Sequence, residues 1–266
     1  MTSTRPRRDR CPGVFRPWPA DDGNLVRLRL AGGRVPAGAL RALLDVAAAY
    51  GDGDVHVTGR ANLQVRGFGE VTDDVVAAIE GTGLLPSRSH ELVRNLMVSP
   101  QSGLADGRAD LRPVVAELDR LLCADPVLAD LPGRFLFVLD DGRGDLLDRP
   151  VDLGLVALDD LTAQLLVGGR WSEVVPIADA PVALVSLAGA FLAARTAEWH
   201  PVELPEPLVP VRPPDRLVPL PSRPLAYGEV PGGRHVPAVD GVVDPTLADL
   251  DTDLVVTPWR GVLVPA

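Results

Sequence analysis

The sequence contains no lysine and only two cysteines, Cys11 and Cys123. Two cysteines so far apart form neither a disulfide framework nor a CxxC pair, which fits a reducing compartment. We therefore expect a cytoplasmic protein. All 26 residues counted as lysine or arginine are arginines, and alanine, valine, leucine and proline are also heavily used. Such a composition bias means that arginine in place of lysine carries little functional information by itself.

Several further absences narrow the possible functions. The net charge is −10 and the pI is near 4.9. Such an acidic protein is not expected to have the broad basic surface that binding to nucleic acid or an anionic membrane requires. The longest apolar run, 180–194, is shorter than the roughly 20 residues of a membrane span, and it predicts a buried helix. No GxGxxG, Walker or GxSxG phrase occurs, and the four histidines show no metal-binding spacing, so no metal site is predicted.

What the sequence does contain is a pair of short alternating runs within 54–68. Val55 and Val57, and then Leu63 and Val65, place apolar side chains on one face of two predicted strands. Residues two apart share a face of a strand, so the other face is polar. That face carries His56, Thr58, Arg60, Asn62, Gln64 and Arg66, and the earlier run LVRLRL adds Arg27 and Arg29. Two interpretations stay open, a seat for an anionic ligand and an ordinary solvent-exposed face.

Turn residues and proline content predict an α+β protein with five segments. These are a flexible tail over 1–13, a ferredoxin-like half over 14–88, an α+β sandwich unit over 89–200, a proline-rich linker or strap over 201–224, and a shortened second half over 225–266. Helices are predicted over 37–50, 73–80, 110–122 and 181–195. Strands are predicted over 25–30 and 135–139, in the runs VDLGLVAL and LTAQLLVG, on both sides of TPWRG, and near Leu84 and Leu85.

The phrase VTGRANLQVRG, preceded by CPGVFRPW and followed by VRNLMVSP, resembles the nitrite and sulfite reductase family. Together with the late phrase VVTPWRGVLVP, it is most similar to the precorrin-3B synthases of cobalamin biosynthesis within that family. The resemblance implies two pseudo-symmetric ferredoxin-like halves, a central unit of nitrite and sulfite reductase type, and an anionic tetrapyrrole held between the halves by basic side chains.

The resemblance also implies which residues bind the tetrapyrrole, whereas the catalytic residues stay unknown. Arginine forks pair well with carboxylates, which makes such a binding mode physically reasonable. Relatives carry a basic pair around position 134, but this sequence has Leu136 at the companion position, so the pair is broken. The residues that match binding positions are Arg60, Gln64, Arg66, Arg94, Asn95, Arg134 and Arg260.

The cofactors implied by the resemblance are a 4Fe-4S cluster and, in the reductases, siroheme. A 4Fe-4S cluster takes four cysteine thiolates, and two cysteines cannot supply them. In the family both cysteine pairs follow the second ferredoxin-like half, so we expect a chain that stops short of the cluster cysteines.

Three functions remain open at this point. The first is a precorrin-3B synthase-like enzyme that hydroxylates precorrin-3A with oxygen and needs an electron donor. The second is a non-catalytic module that binds a carboxylated tetrapyrrole, as a homodimer or beside a partner chain that supplies the cysteines. The third is half of a sulfite or nitrite reductase. In each case we expect no nucleic-acid partner and no membrane partner.

Overall fold

The computed structural model describes residues 11–266, so the first ten residues of the predicted tail lie outside the described part of the chain. The amino-terminal unit contains five strands and two helices. Their bounds are β1 Trp18–Ala20, β2 Gly23–Leu28, β3 Arg34–Pro36, α1 Ala37–Tyr50, β4 Val55–Val57, β5 Leu63–Phe68 and α2 Asp73–Gly81. Apolar residues at helical spacing, such as Leu40 and Leu43, pack α1 against the sheet.

The central unit follows with five strands and two helices. Their bounds are β6 Leu96–Val98, α3 Arg112–Ala124, β7 Phe137–Asp140, β8 Leu153–Ala157, β9 Thr162–Val167, β10 Arg170–Pro176 and α4 Ala180–Ala194. Helices α3 and α4 pack together over one face of a sheet with the order β10-β9-β8-β7-β6. Strands β6, β7 and β8 are parallel, and every residue of these three strands is buried. This burial agrees with the rule that parallel sheets are covered on both faces.

The carboxyl-terminal unit is a short antiparallel sheet. Its strands are β11 Gly228–Val230, β12 Gly233–Pro237, β13 Asp253–Thr257 and β14 Gly261–Pro265, and a 3-10 turn over Pro245–Asp249 stands where the first unit has helix α1. Between the central and carboxyl-terminal units, the proline-rich strap has no strand, and its only helical turn among the described residues is Pro201–Glu203. The mixed content confirms the predicted α+β class.

The two ferredoxin-like units exchange strands. The first sheet has the order β1-β2-β5-β4, and the third has the order β11-β12-β14-β13-β3, so β3 of the amino-terminal unit completes the carboxyl-terminal sheet. In return, the chain after β12 extends the first sheet at β4, where the Val57 amide donates to the Gly241 carbonyl (2.8 Å) and the Val243 amide donates to the Val55 carbonyl (2.8 Å). One apolar core therefore spans both units.

One expectation about secondary structure needs correction, and one longer strand was not predicted. No strand forms near Leu84 and Leu85, because these residues lie buried in the coil after α2 and pack into the shared core. Strand β10 was not predicted, because apolar and polar residues alternate poorly in its sequence, RWSEVVP. The strand lies at the edge of the central sheet, where most of its side chains are at least partly exposed.

One helical stretch in the described part of the chain, Ile177–Ala194, is long and apolar enough to cross a membrane. In this fold it packs against α3 and β8 through residues that include Leu184, Ala188 and Phe191. The predicted interpretation of this run as a core helix therefore agrees with its position.

Candidate functional site

Three arginines from two units form the centre of the candidate site, and we call Arg27, Arg60 and Arg134 the arginine cluster. Arg27 lies on β2, Arg60 in the tight connection between β4 and β5, and Arg134 in the loop before β7. The connection is shaped by the Thr58 hydroxyl, which accepts from the amides of Arg60 (3.3 Å) and Asn62 (3.1 Å). A terminal guanidinium nitrogen of Arg60 then donates to the Arg134 carbonyl (2.9 Å).

The arginine cluster has more positive charge and more donors than its protein neighbours satisfy. Among the described residues, the buried Nε atoms of Arg27 and Arg134 have no hydrogen-bond partner. Burial lowers the pKa of the Arg27 guanidinium; the Cys11 thiol opposes this effect, and the charge of Arg60 adds to it. Buried donors without partners are costly, so a bound anion would stabilise this arrangement.

Two neighbouring side chains hold the arginine cluster in place. Trp199 stacks on Arg134, whose guanidinium carbon lies 4.5 Å from the ring centroid. The Gln64 side-chain oxygen accepts a long hydrogen bond from Arg27 (3.4 Å). Gln64 and Arg27 face each other because β2 and β5 pair in register at these two positions. The sheet therefore orients Arg27, and the aromatic ring orients Arg134.

Two cavities adjoin the arginine cluster. The larger, of about 660 Å³, lies between the central sheet and the strap, with Arg60 in its wall. The smaller, of about 350 Å³, is lined by Cys11, Pro12, Trp18, Leu25, Arg27 and Arg134. The larger cavity has apolar walls, which include Leu136, Leu147, Val151, Leu166, Trp171 and several strap prolines, and its ionisable lining residues are Arg60, Arg149, Asp152 and His200. Apolar walls with a few convergent polar groups are typical of ligand sites.

The strap forms one wall of the larger cavity because specific hydrogen bonds fasten it to the sheet. The buried side chain of Gln164 donates to the carbonyls of Ser172 (2.9 Å) and Pro213 (3.0 Å) and accepts from the Asp215 amide (2.8 Å). The Arg212 amide also donates to the Trp171 carbonyl (2.9 Å). Proline prevents the strap from forming helix or central strand, so these few contacts fix its course.

The remaining predicted binding residues lie apart from the arginine cluster. Arg66 makes a two-pronged ion pair with Asp22 (2.7 and 3.0 Å) at the exposed end of the first sheet. Arg260 is exposed at the turn between β13 and β14, where it adopts a φ of 59°. Neither lines the two cavities of the arginine cluster. Both were predicted from their place in a motif, which does not reveal a local carboxylate or the direction of a turn.

Arg94 and Asn95 hold the units together. Arg94 pairs with Asp119 of α3 through two contacts of 2.7 Å and donates to the Arg29 carbonyl (3.2 Å). The Asn95 amide nitrogen donates to the carbonyls of Gly133 (2.9 Å) and Phe135 (3.1 Å), and its oxygen accepts from Arg29 (3.1 Å). The guanidinium of Arg94 and the amide of Asn95 are thus engaged by protein groups, in contrast to the Nε atoms of Arg27 and Arg134 among the described residues.

Sequence reasoning missed three polar residues of the larger cavity, namely Arg149, Asp152 and His200. Nδ1 of His200 lies 2.7 Å from Oδ1 of Asp152, although the two residues are 48 positions apart. No short motif joins them. The only local indication of a site in the sequence is that His200 directly follows Trp199, just before the proline-rich strap.

The cysteines do not fit a 4Fe-4S cluster. Such a cluster takes four thiolates, whereas this chain has two cysteines. Cys123 lies on α3, where burial raises the pKa of its thiol. Cys11 lines the smaller cavity beside Arg27. The arginine cluster, in contrast, fits the carboxylates of a tetrapyrrole, since two of its buried donors have no partner in the described part of the chain.

Comparison with known proteins shows the class of protein that this fold resembles. Residues 19–80 match the nitrite/sulfite reductase ferredoxin-like half domain. The structure superimposes on the Mycobacterium tuberculosis NirA protein with a TM-score of 0.68 over 91% of this chain and 54% of that one, at 17% identity, which is evidence for the fold alone. The resemblance to the nitrite and sulfite reductase family is thereby confirmed.

Two curated relatives match part of this chain, and both are oxidoreductases. A ferredoxin–nitrite reductase from Leptolyngbya laminosa is 32% identical over 181 residues, which covers 63% of this chain and 35% of the relative. A precorrin-3B synthase from a Sinorhizobium species is 30% identical over 137 residues, which covers 51% of this chain and 29% of the relative. The matched part therefore amounts to about a third of the length of these relatives.

Proposed function

We propose that this chain binds a carboxylated tetrapyrrole at the arginine cluster and the adjoining larger cavity, as part of a precorrin-3B synthase-like oxidoreductase. The observation that carries the proposal is the pair of buried Nε donors of Arg27 and Arg134, which have no hydrogen-bond partner within residues 11–266, next to Arg60. Guanidinium groups keep their charge when desolvated and form paired hydrogen bonds with carboxylates. Arg60 lines the larger cavity, whereas Arg27 and Arg134 line the smaller one, so a ligand with several carboxylates would contact the arginine cluster from both cavities.

The walls of the larger cavity favour a ligand that is apolar between its charged groups. Leu136, Val151 and Leu166 present aliphatic side chains, and Trp171 presents an aromatic one, close to Arg60 and Arg149. Its volume of about 660 Å³ is in the range of small-molecule sites, about 300–1,000 Å³. A pyrrole macrocycle with acetate or propionate arms combines both properties, whereas a sugar phosphate or a free amino acid would leave the apolar walls without contacts.

The similarity to precorrin-3B synthase supports oxygen-dependent hydroxylation of precorrin-3A as the activity to which this binding site contributes. That activity requires an electron donor and a redox centre. When bound, a 4Fe-4S cluster would supply electrons, but the two cysteines of this chain do not provide its ligands. The contribution that can be assigned to this chain is therefore binding and orienting the carboxylated ligand.

A second candidate function is a non-catalytic module, alone, as a homodimer or with a partner chain that carries the cysteines. It is favoured by the cavity itself, because Arg60, Arg149 and the apolar walls are sufficient to bind a carboxylated ligand without a redox centre. The similarity to ferredoxin–nitrite reductase supports siroheme as an alternative tetrapyrrole for the same site. All these candidates share one requirement, which is carboxylate recognition by the arginine cluster.

Isothermal titration with coproporphyrin, a tetracarboxylate, tests this shared requirement. The charge-assisted hydrogen bonds lost in Arg60→Ala are worth about 1.5–3 kcal/mol, so we expect the affinity to fall by roughly 10- to 100-fold. Arg66→Ala is the matched control, because it removes an arginine from the same polar face that already pairs with Asp22. The tetramethyl ester of coproporphyrin has the same macrocycle without ionised carboxylates. It should bind weakly when both ligands are titrated in one detergent-containing buffer.

Two results would contradict the proposal. One is the absence of coproporphyrin binding by the wild-type protein, and the other is an equal loss of affinity in Arg60→Ala and Arg66→Ala. Siroheme in place of coproporphyrin distinguishes the reductase-like alternative. If siroheme binds much more tightly and changes its absorption spectrum, the site serves the reductase cofactor and the precorrin assignment is wrong.

A further inference from the structure

A histidine and an aspartate form a closely spaced pair in the wall of the larger cavity. Nδ1 of His200 is 2.7 Å from Oδ1 of Asp152. The His200 side chain is 30% exposed toward the cavity, whereas the Asp152 side chain is only 6% exposed. The aspartate therefore lies behind the imidazole as seen from the cavity.

Asp152 is held in place by both strands next to it. Its second carboxylate oxygen accepts from the Leu136 amide (2.8 Å), and its own amide donates to the Leu136 carbonyl (3.0 Å). Its carbonyl accepts from the Gly168 amide (2.7 Å). A carboxylate fixed in this way accepts the Nδ1 hydrogen of an imidazole and sets the tautomer of the ring.

The main chain at His200 is also fixed. The Glu203 amide donates to the His200 carbonyl (3.0 Å), and the Glu203 carboxylate accepts from the Trp199 amide (2.8 Å). The Trp199 ring stacks on Arg134, so the same short segment supports the arginine cluster and the imidazole. Among the described residues, no protein group hydrogen-bonds to Nε2, the ring nitrogen that remains for a ligand.

We infer that His200, oriented by Asp152, contacts a carboxylate of the cavity's ligand through Nε2 and takes up a proton when that ligand binds. This inference rests on the proposed function for the identity of the ligand as a carboxylate. The proton comes from solvent, Nε2 gains it, and the resulting imidazolium donates to the ligand carboxylate while Asp152 balances its charge. No bond other than N–H forms.

The charges around the ring support this direction of proton movement. Arg60 and Arg149 are the positive groups that line the cavity, and Asp152 is its one lining carboxylate among the described residues. Arg134 and Glu203 both contact the neighbouring residue Trp199, Arg134 at its ring and Glu203 at its amide. A bound carboxylate beside Nε2 adds a negative charge on the cavity side of the ring, and an opposite charge at that distance favours the charged form.

The test is the number of protons taken up on binding coproporphyrin at pH 8, where its carboxylates are ionised. Titration in phosphate and in Tris, which differ in ionisation enthalpy, gives this number directly. We expect the wild-type protein to take up between about 0.5 and 1 proton per ligand, and the variant His200→Gln to take up close to none. The affinity of His200→Gln should fall severalfold at pH 6.5 and less at pH 8.5.

His56→Gln is the matched control, because His56 also pairs with an aspartate, Asp52 (3.4 Å), but lies on the first sheet and does not line the cavity. This variant should take up the same number of protons per bound ligand as the wild-type protein. Asp152→Asn adds a second measurement, since nitrogen NMR of the imidazole should show that His200 loses its fixed tautomer even if binding is weak.

The possible failures can be told apart. If coproporphyrin does not bind any variant, the proposed function is wrong. If it binds and the wild-type and His200→Gln proteins take up the same number of protons, including none, the role assigned to His200 is wrong while the arginine cluster still stands.

Discussion

A terminal guanidinium nitrogen of Arg60 lies 2.9 Å from the main-chain oxygen of Arg134, so a loop of the amino-terminal unit ends on a loop of the central unit. Through this contact, the backbone of Arg134 positions the side chain of Arg60. The geometry of the site therefore depends on how the two units dock. Arg94 and Asn95, predicted as ligand-binding residues, maintain that docking.

The buried pair of Arg94 and Asp119 should contribute strongly to stability. Arg94→Ala leaves a partly buried carboxylate and the Arg29 carbonyl without their donor. Removing one partner of a buried pair costs about 3–5 kcal/mol, and we expect the lower end because Asp119 is 19% exposed. Denaturant unfolding should show this loss, whereas Arg120→Ala, which breaks an exposed pair with Glu117 on the same helix, should be indistinguishable from wild type.

Asp145 should make stability fall as the pH rises. Burial raises the pKa of its carboxyl from 3.8 to about 7, and the charge of Asp140 adds to this effect, whereas the Ser99 hydroxyl opposes it. The unfolded chain loses the proton near pH 4 and the folded chain near pH 7, so stability is lost across that window, by at most about 4 kcal/mol.

Unfolding experiments from pH 4 to pH 8 on Asp145→Asn check this expectation. The asparagine stays neutral and can still accept from Ser99, so the variant should lose less stability than wild type across this window. Asp148→Asn, an exposed neighbour, serves as the control. Parallel curves for wild type and Asp145→Asn would contradict the assignment.

Gln164 should control the strap that closes the larger cavity. Gln164→Leu removes three hydrogen bonds to the main chain, two of them to the strap at Pro213 and Asp215. The strap has one bond suited to trypsin, after Arg216, since Arg212 and Arg223 precede proline. We expect faster cleavage at Arg216 in the variant, and Arg216→Gln should abolish the product; unchanged cleavage would mean that other contacts hold the strap.

Gly33 should tolerate no side chain. It adopts a φ of 73°, and an added Cβ would meet the Val256 carbonyl at 2.2 Å, beside the pairing of β3 with β13. We expect Gly33→Ala to destabilise the protein by more than about 1–3 kcal/mol, since strain and displacement of a strand add together. Gly38→Ala, on the open face of α1, should instead be neutral or slightly stabilising. Thermal unfolding of the two variants measures this contrast.

Local sequence patterns predicted the four helices and most of the longer strands, but not the long-range pairing of these elements. The alternation around Val55 and Leu63 predicted β4 and β5, and helical spacing predicted α1 with its observed bounds. The pairing of β3 with β13 was not predictable, because Arg34–Pro36 is three residues long and its partner lies more than 200 positions away. Contacts between distant segments leave no periodic signal in either segment.

The same distinction applies to the site. Arg60 and Arg134 were found through motif positions, and the structure brings them together with Arg27 of the predicted polar face. Their role as ligand-binding residues stays a prediction. Arg66 and Arg94 were chosen by the same argument, but each has a local carboxylate, Asp22 or Asp119, that only the fold brings near. His200 and Asp152 meet through the fold as well.

The exchange of strands between the two ferredoxin-like units has a consequence for biosynthesis. The β4 edge of the first sheet is covered only when residues 241–243 arrive, and β3 finds its partner only when Asp253–Thr257 has been made. A ribosome adds about 5–20 residues per second, so the nascent amino-terminal unit waits roughly ten seconds or longer with an open sheet edge. Unpaired edges invite aggregation during that interval. Slow translation of the strap codons would prolong this exposure, and a chaperone that shields β4 would relieve it.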